Sequence, residues 1–186
     1  MIHHKGTLTL ETPRLILRRA AKEDSVSMFH NWASDPEVTK FMTWPTHDSI
    51  ETSAYVLASW TEAYEKIDYY QWLIVLKELG QPIGSVSVVR MDELTESCEI
   101  GYCIGRLWWH QGIMTEAVSA VIRYLFHEVG MRRIVARHDM NNPRSGNVMK
   151  RCGMQFEGIQ IGAGQNNQGI CDLCCYCITN FEVKQQ

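Results

Sequence analysis

The stretch WWHQGIMTEA, residues 108–117, contains a single glycine directly before a segment with helical spacing. Apolar residues recur every three or four positions from Met114 to Val129, which predicts an amphipathic helix over residues 113–129. The first turn of a helix has N–H groups without intrahelical partners, and a glycine there lets an anion approach them closely. The stretch therefore predicts a phosphate-binding turn, although many strand–helix turns contain glycine for conformational reasons alone. The amides that would face the anion belong to His110, Gln111, Gly112, Ile113, Met114 and Thr115.

Periodicity on either side of this stretch predicts the element order β-α-α-β-β-β-α-β-α-β-β. The first strand is expected near residues 7–20, with Pro13 as a bulge or an edge feature. The predicted N-caps of the first two helices are Asp24 and then Asp48 or Ser49. The strand–helix–strand unit over residues 99–138 is expected to contain two parallel strands. Since no linker or internal repeat interrupts the chain, we predict one mixed α/β domain over residues 1–186.

Composition and charge limit the classes of protein to which the chain can belong. Hydrophobic residues make up 45% of the sequence and charged residues 21%, which is typical of a folded globular protein. The 18 basic and 21 acidic residues give a net charge of -3, whereas proteins that bind nucleic acid usually carry a clustered basic excess. No apolar run approaches the ~20 residues of a membrane span, and no signal peptide is evident at the start. We therefore expect a cytoplasmic protein that binds neither nucleic acid nor membrane.

Four of the seven cysteines lie in one short segment, CDLCCYC. Cys171 and Cys174 have the Cys-x-x-Cys spacing of zinc and redox sites. The flanking residues instead predict a strand, in which Cys171, Cys175 and Cys177 share one face and Cys174 points to the other. That alternation is unfavourable for joint metal ligation, and the sequence has no second pair at zinc-finger spacing. We predict buried, reduced thiols and no metal site.

Several separated motifs occur in an order that resembles a known family. EIGYCIGRLWWHQGIMTEA, residues 99–117, is followed by a strand and then by NPRSGNVMKRCGMQFEG, residues 142–158. The opening ETPRLILRR (11–19), the segment DPEVTKFM (35–42) and the closing NNQGICD (166–172) complete the set. Together they resemble the GNAT superfamily of N-acetyltransferases, and within it the RimJ/RimL-like branch of ribosomal-protein-alanine acetyltransferases.

The resemblance covers about residues 8–180 and implies the GNAT fold, a central twisted mixed sheet flanked by helices. It implies that acetyl-CoA binds in a cleft between two splayed parallel strands, with its pyrophosphate on the turn around Gly112. Trp109 and Met114 replace the residues that relatives usually carry in this turn, a change that backbone N–H donation tolerates. Trp109 either packs under the helix or contacts the cofactor. His110 either adds a hydrogen bond to phosphate or is an exposed loop residue.

Acetyl transfer requires a neutral amine, and Glu99 is the candidate general base. Strand alternation places Glu99 on one face with Gly101 and Cys103, small residues that leave room for a substrate and a relaying water. A surface ion pair is the alternative role for Glu99, and both interpretations stay open. Backbone N–H groups near Cys103 and Ile104 are expected to polarise the acetyl carbonyl.

The leaving thiolate needs a hydrogen-bond donor, for which Ser145 is the candidate. Ser145 follows Asn142 in the N-x-x-S pattern of the resembled branch, which implies that Asn142 binds the pantetheine arm. The same pattern can simply cap a helix. Many GNAT enzymes have a tyrosine acid seven residues after that asparagine, where this chain has Met149. Tyr176 is the fallback donor, although a strand tyrosine is more often part of a core or an interface.

The resemblance implies an acceptor pocket built from the first two helices and the loop between them. Its candidate residues, which could equally form a core, are Trp32, Phe41, Met42, Trp44, Tyr70, Trp72 and Tyr102. Three functions stay open. The chain could acetylate a protein N-terminus such as that of a ribosomal protein, it could acetylate a small amine such as an amino acid, polyamine or antibiotic, or it could be a catalytically silent CoA-binding module. We expect acetyl-CoA and an amine acceptor as partners, in a monomer or homodimer.

Overall fold

An eight-stranded mixed sheet organises the chain in the computed structural model, which describes residues 2–180. The strands are β1 (Leu10–Glu11), β2 (Leu15–Arg18), β3 (Gln71–Leu76), β4 (Gln81–Asp92), β5 (Ser97–Ile104), β6 (Arg133–Asp139), β7 (Gln155–Asn166) and β8 (Gly169–Thr179). Their spatial order is β1-β2-β3-β4-β5-β6-β8-β7. Every neighbouring pair is antiparallel except β5 and β6, which are parallel as predicted.

Within residues 2–180 the structure has five α-helices. They are α1 (Ser25–Met28), α2 (Pro36–Thr39), α3 (Ile50–Ala63), α4 (Ile113–Tyr124) and α5 (Pro143–Arg151). Single π-helical turns extend α1 and α4 to Ala33 and Val129. Ser49 caps α3 as predicted, because its Oγ accepts a hydrogen bond from the Thr52 N–H at 3.2 Å. Among the described residues, no helix is long and apolar enough to cross a membrane.

The first predicted strand and the first predicted cap differ from the structure. Instead of one strand, β1 and β2 form a tight hairpin in which Thr12 N–H bonds to Leu15 O and Leu15 N–H bonds to Thr12 Oγ1. Proline has no N–H, so Pro13 belongs in such a turn rather than inside a strand. Asp24 is the N-cap residue of α1, but its carboxylate makes no capping hydrogen bond and instead accepts two hydrogen bonds of 2.7 Å from the Arg18 guanidinium.

The two faces of the sheet bury different groups of side chains. On β3, Trp72 and Ile74 point toward α4 and join the larger core, while Leu73 points the other way. On that second face Leu73 and Cys103 pack with Trp32, whose side chain is fully buried. Because strand residues alternate between faces, Glu99 and Gly101 lie on the same face as Cys103.

The cysteine-rich segment forms β8, as the alternating pattern predicts. Cys175 lies opposite Arg137 and Cys174 opposite His138, so neighbouring thiols point to opposite faces of the sheet. Cys175 and Cys177 are buried as predicted, whereas Cys171 and Cys174 are only half-buried. Burial raises the pKa of the Cys175 and Cys177 thiols, and on β5 it raises the pKa of Cys98 to about 12. Within residues 2–180, no group of three or more His, Cys, Asp or Glu side chains is placed to hold a metal ion.

Candidate active site

Strands β5 and β6 separate at the point where the predicted motif begins. They pair only along Ser97–Glu99 and Arg133–Val135, although β5 continues to Ile104 and β6 continues to Asp139. Beyond Glu99 the two strands therefore diverge and open a cleft in the middle of the sheet. In this gap the Ile104 carbonyl accepts a hydrogen bond from the Trp109 indole N–H at 2.9 Å rather than from a strand partner on β6.

The turn at the open end of this cleft has the conformation of an anion-binding site. Gly112 has φ +72° and His110 has φ +64°, both in the left-handed region. Gly112 is the N-cap of α4 and offers no side chain to the first-turn N–H groups, so these remain available to a ligand. Arg14 braces the turn by donating to the Gln111 carbonyl at 2.9 Å and to the Glu116 carboxylate at 2.6 Å.

Two cavities flank the cleft, and most of the residues predicted for the cofactor and acceptor sites line one or both of them. The first cavity has a volume of about 460 Å³ and extends from the α4 turn to the start of α5. The second cavity has a volume of about 640 Å³ and lies over the face of β4 and β5 that carries Glu99. Predicted cofactor residues that line the first cavity are Cys103, Ile104, Trp109, His110, Gly112, Ile113, Met114, Thr115, Asn142 and Ser145. Gln111 does not line it, since its side chain donates to the Leu107 carbonyl instead.

The two cavities adjoin where they share six lining residues, which are Phe41, Met42, Tyr102, Cys103, Asn142 and Ser145. Ser145 Oγ donates to the Tyr102 hydroxyl at 3.1 Å, and that hydroxyl donates to the Ser145 carbonyl at 2.9 Å. Burial raises the pKa of Tyr102 strongly, so its hydroxyl stays protonated. The Asn142 side chain makes no capping hydrogen bond to α5, which leaves its amide able to bind a ligand. A group that moves between the two cavities would pass the six residues that they share.

Glu99 lies on the wall of the second cavity and is also ion-paired. The Arg137 guanidinium donates to both carboxylate oxygens, from Nε at 2.9 Å and from Nη2 at 2.6 Å. The Glu99 side chain is 17% exposed. Hydrogen bonding to Glu99 raises the pKa of Arg137, so the guanidinium remains charged beside the cavity. The structure thus combines the two roles that the sequence left open, a cavity-lining carboxylate and an ion pair.

The residues predicted for the acceptor pocket divide into two groups, those that line the second cavity and those that lie outside both cavities. Trp32, Phe41, Met42, Trp44 and Tyr102 line the second cavity. The structure brings them together from α1, from β5 and from the loop between α2 and α3. Residues 40–49 form this loop, the 40–49 loop.

Three other predicted residues lie outside both cavities. Tyr70 and Trp72 are 1% and 0% exposed and stack on each other in the larger core, on the α4 side of the sheet. Tyr176 is 5% exposed and lies in the same core, with its ring against His138 and Phe156. Strand alternation is the cause, because each of these side chains points to the face opposite Glu99.

Several cavity residues were not singled out from the sequence. Cationic side chains of Lys40, Arg144 and Arg151 line the first cavity, and the Arg144 guanidinium lies 4.6 Å from the centre of the Trp109 ring. Arg144 stands inside the same N-x-x-S motif, so its position in that motif was a signal that could have identified it. Gln71 lines the second cavity, and only the strand register reveals that it faces there.

Comparison with known proteins agrees with this geometry. Residues 14–155 match the family model described as the acetyltransferase (GNAT) domain. The chain is 30% identical over 151 residues to the uncharacterized N-acetyltransferase p20 of Bacillus licheniformis, covering 81% of this chain and 84% of p20. It is 40% identical over 62 residues to the [ribosomal protein uS5]-alanine N-acetyltransferase of Escherichia coli, covering 33% of this chain and 32% of that protein.

A solved structure shows the same fold. The RimL ribosomal L7/L12 α-N-protein acetyltransferase, solved in complex with coenzyme A, superimposes with a TM-score of 0.82 at 19% identity. The superposition covers 92% of this chain and 98% of RimL. The splayed parallel strands, the glycine turn before α4 and the match over residues 14–155 agree with one another. The chain is a member of the GNAT family and an acetyl-CoA-dependent N-acetyltransferase.

Proposed function

We propose that this enzyme acetylates the α-amino group at the N-terminus of a protein. Acetyl-CoA would occupy the first cavity and the acceptor amine the second. The observation that carries this proposal is the junction of the two cavities, which share the lining residues Phe41, Met42, Tyr102, Cys103, Asn142 and Ser145. Support for the acceptor class comes from similarity to an enzyme named for acetylating an alanine of ribosomal protein uS5.

The residues around the first cavity fit the parts of acetyl-CoA. The first-turn amides of α4, next to Gly112, would bind the pyrophosphate. Lys40, Arg144 and Arg151 would add positive charge near the phosphates. The free amide of Asn142 would bind the pantetheine arm where β5 and β6 diverge.

The junction residues would assist departure of the thiolate. Acetyl-CoA supplies the acetyl group as a thioester, so the amine nitrogen bonds the carbonyl carbon while the carbon–sulfur bond breaks. The Ser145 hydroxyl would turn its hydrogen from the Tyr102 oxygen to the sulfur and stabilise the departing thiolate by a hydrogen bond, while the Tyr102 hydroxyl stays bonded to the Ser145 carbonyl. Backbone N–H groups near Cys103 would polarise the carbonyl. The proton lost by the amine would pass toward Glu99 through water.

The carboxylates that line the second cavity favour an α-amine over a lysine side chain as the acceptor. Both carboxylates in its lining already accept hydrogen bonds, Glu99 from Arg137 and Asp139 from the Asn141 N–H and the Asn166 amide. Burial raises the pKa of Asp139, but the hydrogen bonds from Asn141 and Asn166 outweigh it and lower that pKa, which makes this carboxylate a weak base. An α-amine has a reference pKa of ~8 and a lysine ~10.4, so the α-amine needs much less help to lose its proton at neutral pH.

A small-molecule amine is a second candidate acceptor. Three indole rings, those of Trp32, Trp44 and Trp60, line the second cavity, whose volume of about 640 Å³ suits a ligand of modest size. An aromatic wall of this kind binds compact apolar amines as well as a peptide end.

Calorimetry with acetyl-CoA and thiol-release assays test the proposal together. We expect acetyl-CoA to bind the wild-type protein and thiol release to depend on an added amine, with alanine-terminated peptides compared against small amines. Ser145→Ala should slow turnover roughly 10- to 100-fold, and Glu99→Gln less than about tenfold, because an α-amine needs little base assistance. Ser59→Ala is the matched control, since Ser59 is exposed and bonds only within α3.

Two results would contradict the proposal. Absence of acetyl-CoA binding would exclude the assigned first cavity. Full turnover by both Ser145→Ala and Glu99→Gln would show that the reacting groups lie elsewhere.

A further inference from the structure

We propose that Asn167, in the turn between β7 and β8, is a positioning residue that holds the 40–49 loop in the shape required by the acceptor amine. The backbone N–H of Asn167 donates to the Met42 carbonyl at 3.2 Å. Its side-chain Nδ2 donates to the Thr39 carbonyl at 2.8 Å and to the Trp44 carbonyl at 2.9 Å. The inference rests on the proposed function, in which the second cavity binds the acceptor.

These three hydrogen bonds bracket the part of the loop that forms the cavities. Phe41 and Met42 line both cavities, and Trp44 lines the second. Asn167 binds one carbonyl before Phe41, that of Thr39, and two after it, those of Met42 and Trp44. It therefore fixes the backbone on both sides of Phe41. An asparagine amide has two hydrogens, one for each of the two side-chain bonds.

The same turn is tied to the other side of the active site through its neighbouring residue. Asn166 Nδ2 donates to Asp139 Oδ2 at 2.7 Å, and Asp139 Oδ1 accepts the Asn141 N–H at 2.7 Å. Asn142 follows directly and lines the junction of the cavities. One turn therefore connects the acceptor loop to the segment that carries Asn142, so it sets the distance between the amine and the acetyl group.

Asn167 is well placed for a test because it is exposed and lies outside both hydrophobic cores. Asn167→Asp keeps the shape of the side chain but replaces the two donor hydrogens with an oxygen that faces two carbonyls. We expect the KM for an alanine-terminated peptide to rise roughly tenfold, since each hydrogen bond of this kind contributes a few-fold. The kcat should stay within about twofold of the wild type, and the Kd for acetyl-CoA should rise less than the KM, since the α4 turn that holds the cofactor is unchanged although Lys40 of the 40–49 loop also lines the first cavity.

Gln168→Ala is the matched control, because the Gln168 side chain lies in the same turn and bonds only to the Asn167 carbonyl. Hydrogen exchange of the backbone amides in residues 40–49 supplies a readout that needs no acceptor. Exchange there should accelerate in Asn167→Asp and stay at the wild-type rate in Gln168→Ala.

Each combination of results decides the inference. A raised acceptor KM with unchanged kcat, together with faster exchange in the 40–49 loop, supports it. An unchanged KM overturns it, and so does an equal loss of kcat and of acetyl-CoA affinity. If the wild-type protein does not bind acetyl-CoA, the proposed function fails, and unaltered exchange in Asn167→Asp would then overturn the inference by itself.

Discussion

The absence of a side chain at Gly146 lets α5 pack directly on His138. A methyl group at this position would lie 2.5 Å from His138 Nε2 and within 3.2 Å of two ring carbons. His138 cannot easily move away, because its Nδ1 bonds to the Asp139 carbonyl at 2.8 Å and its ring stacks on Tyr176. Gly146 therefore sets how closely α5, which carries Ser145, approaches the sheet.

Gly146→Ala should destabilise the protein by about 1–3 kcal/mol, the usual effect of overpacking a filled site. Urea unfolding followed by circular dichroism would measure the change. Asn147→Ala, at an exposed position on the same helix, serves as the control and should leave the midpoint nearly unchanged. Equal midpoints for Gly146→Ala and the wild type would show that α5 shifts freely.

For single residues, the sequence predicted the site position of side chains within one motif. It did not predict contacts between side chains that are distant in sequence. Ser145, Asn142 and Glu99 stand in recognisable motifs, and all three line a cavity. The bond between Tyr102 and Ser145 joins residues 43 positions apart, and no local pattern encodes it. The assignment of Tyr70 to the acceptor pocket failed for the same reason, since the face it occupies depends on which helices cover β3.

Among the structural elements, the turn before α4 contributes most to the proposed cofactor site. Gly112→Pro should abolish acetyl-CoA binding, because proline fixes φ near −65° whereas Gly112 has φ +72°. The first-turn amides would then point away from the position of the phosphates. Calorimetry with acetyl-CoA measures the loss.

A control measurement must show that Gly112→Pro still folds. The far-ultraviolet circular dichroism of Gly112→Pro should resemble that of the wild type, since the turn lies at the surface end of the cleft. Gly80→Pro, at a turn with φ +68° far from the cavities, tests whether any proline in a left-handed turn has the same effect. Wild-type affinity in Gly112→Pro would contradict the assignment of this turn.

Elements with strong periodicity were predicted well and short elements were not. The unit formed by β5, α4 and β6 has long apolar patterns and appears in the structure with parallel strands as expected. In contrast, α2 is only four residues long and lies between the two helices expected after Asp24 and Ser49, where the sequence predicted only a connecting loop. Asp35 caps it by accepting the Glu37 N–H at 2.9 Å, a local signal that the aromatic character of the segment obscured.

Over the whole molecule, the active site depends on where strand pairing stops. Pairing of β5 with β6 ends at Glu99 and Val135, and the two cavities meet in the resulting gap. Contacts far apart in sequence complete the site, among them the hydrogen bonds of Asn167 to residues more than 120 positions earlier. Composition and motifs could predict the family and the glycine turn, whereas the acceptor wall needed the three-dimensional arrangement.

Mass spectrometry of protein N-termini tests the central claim most directly. A cell extract would be incubated with acetyl-CoA and the wild-type enzyme, with Ser145→Ala as the matched control. We predict new acetyl groups on the α-amines of a restricted set of protein N-termini, with far fewer in the Ser145→Ala sample. Acetylation confined to lysine side chains or to small amines, with all N-termini unchanged, would contradict the account.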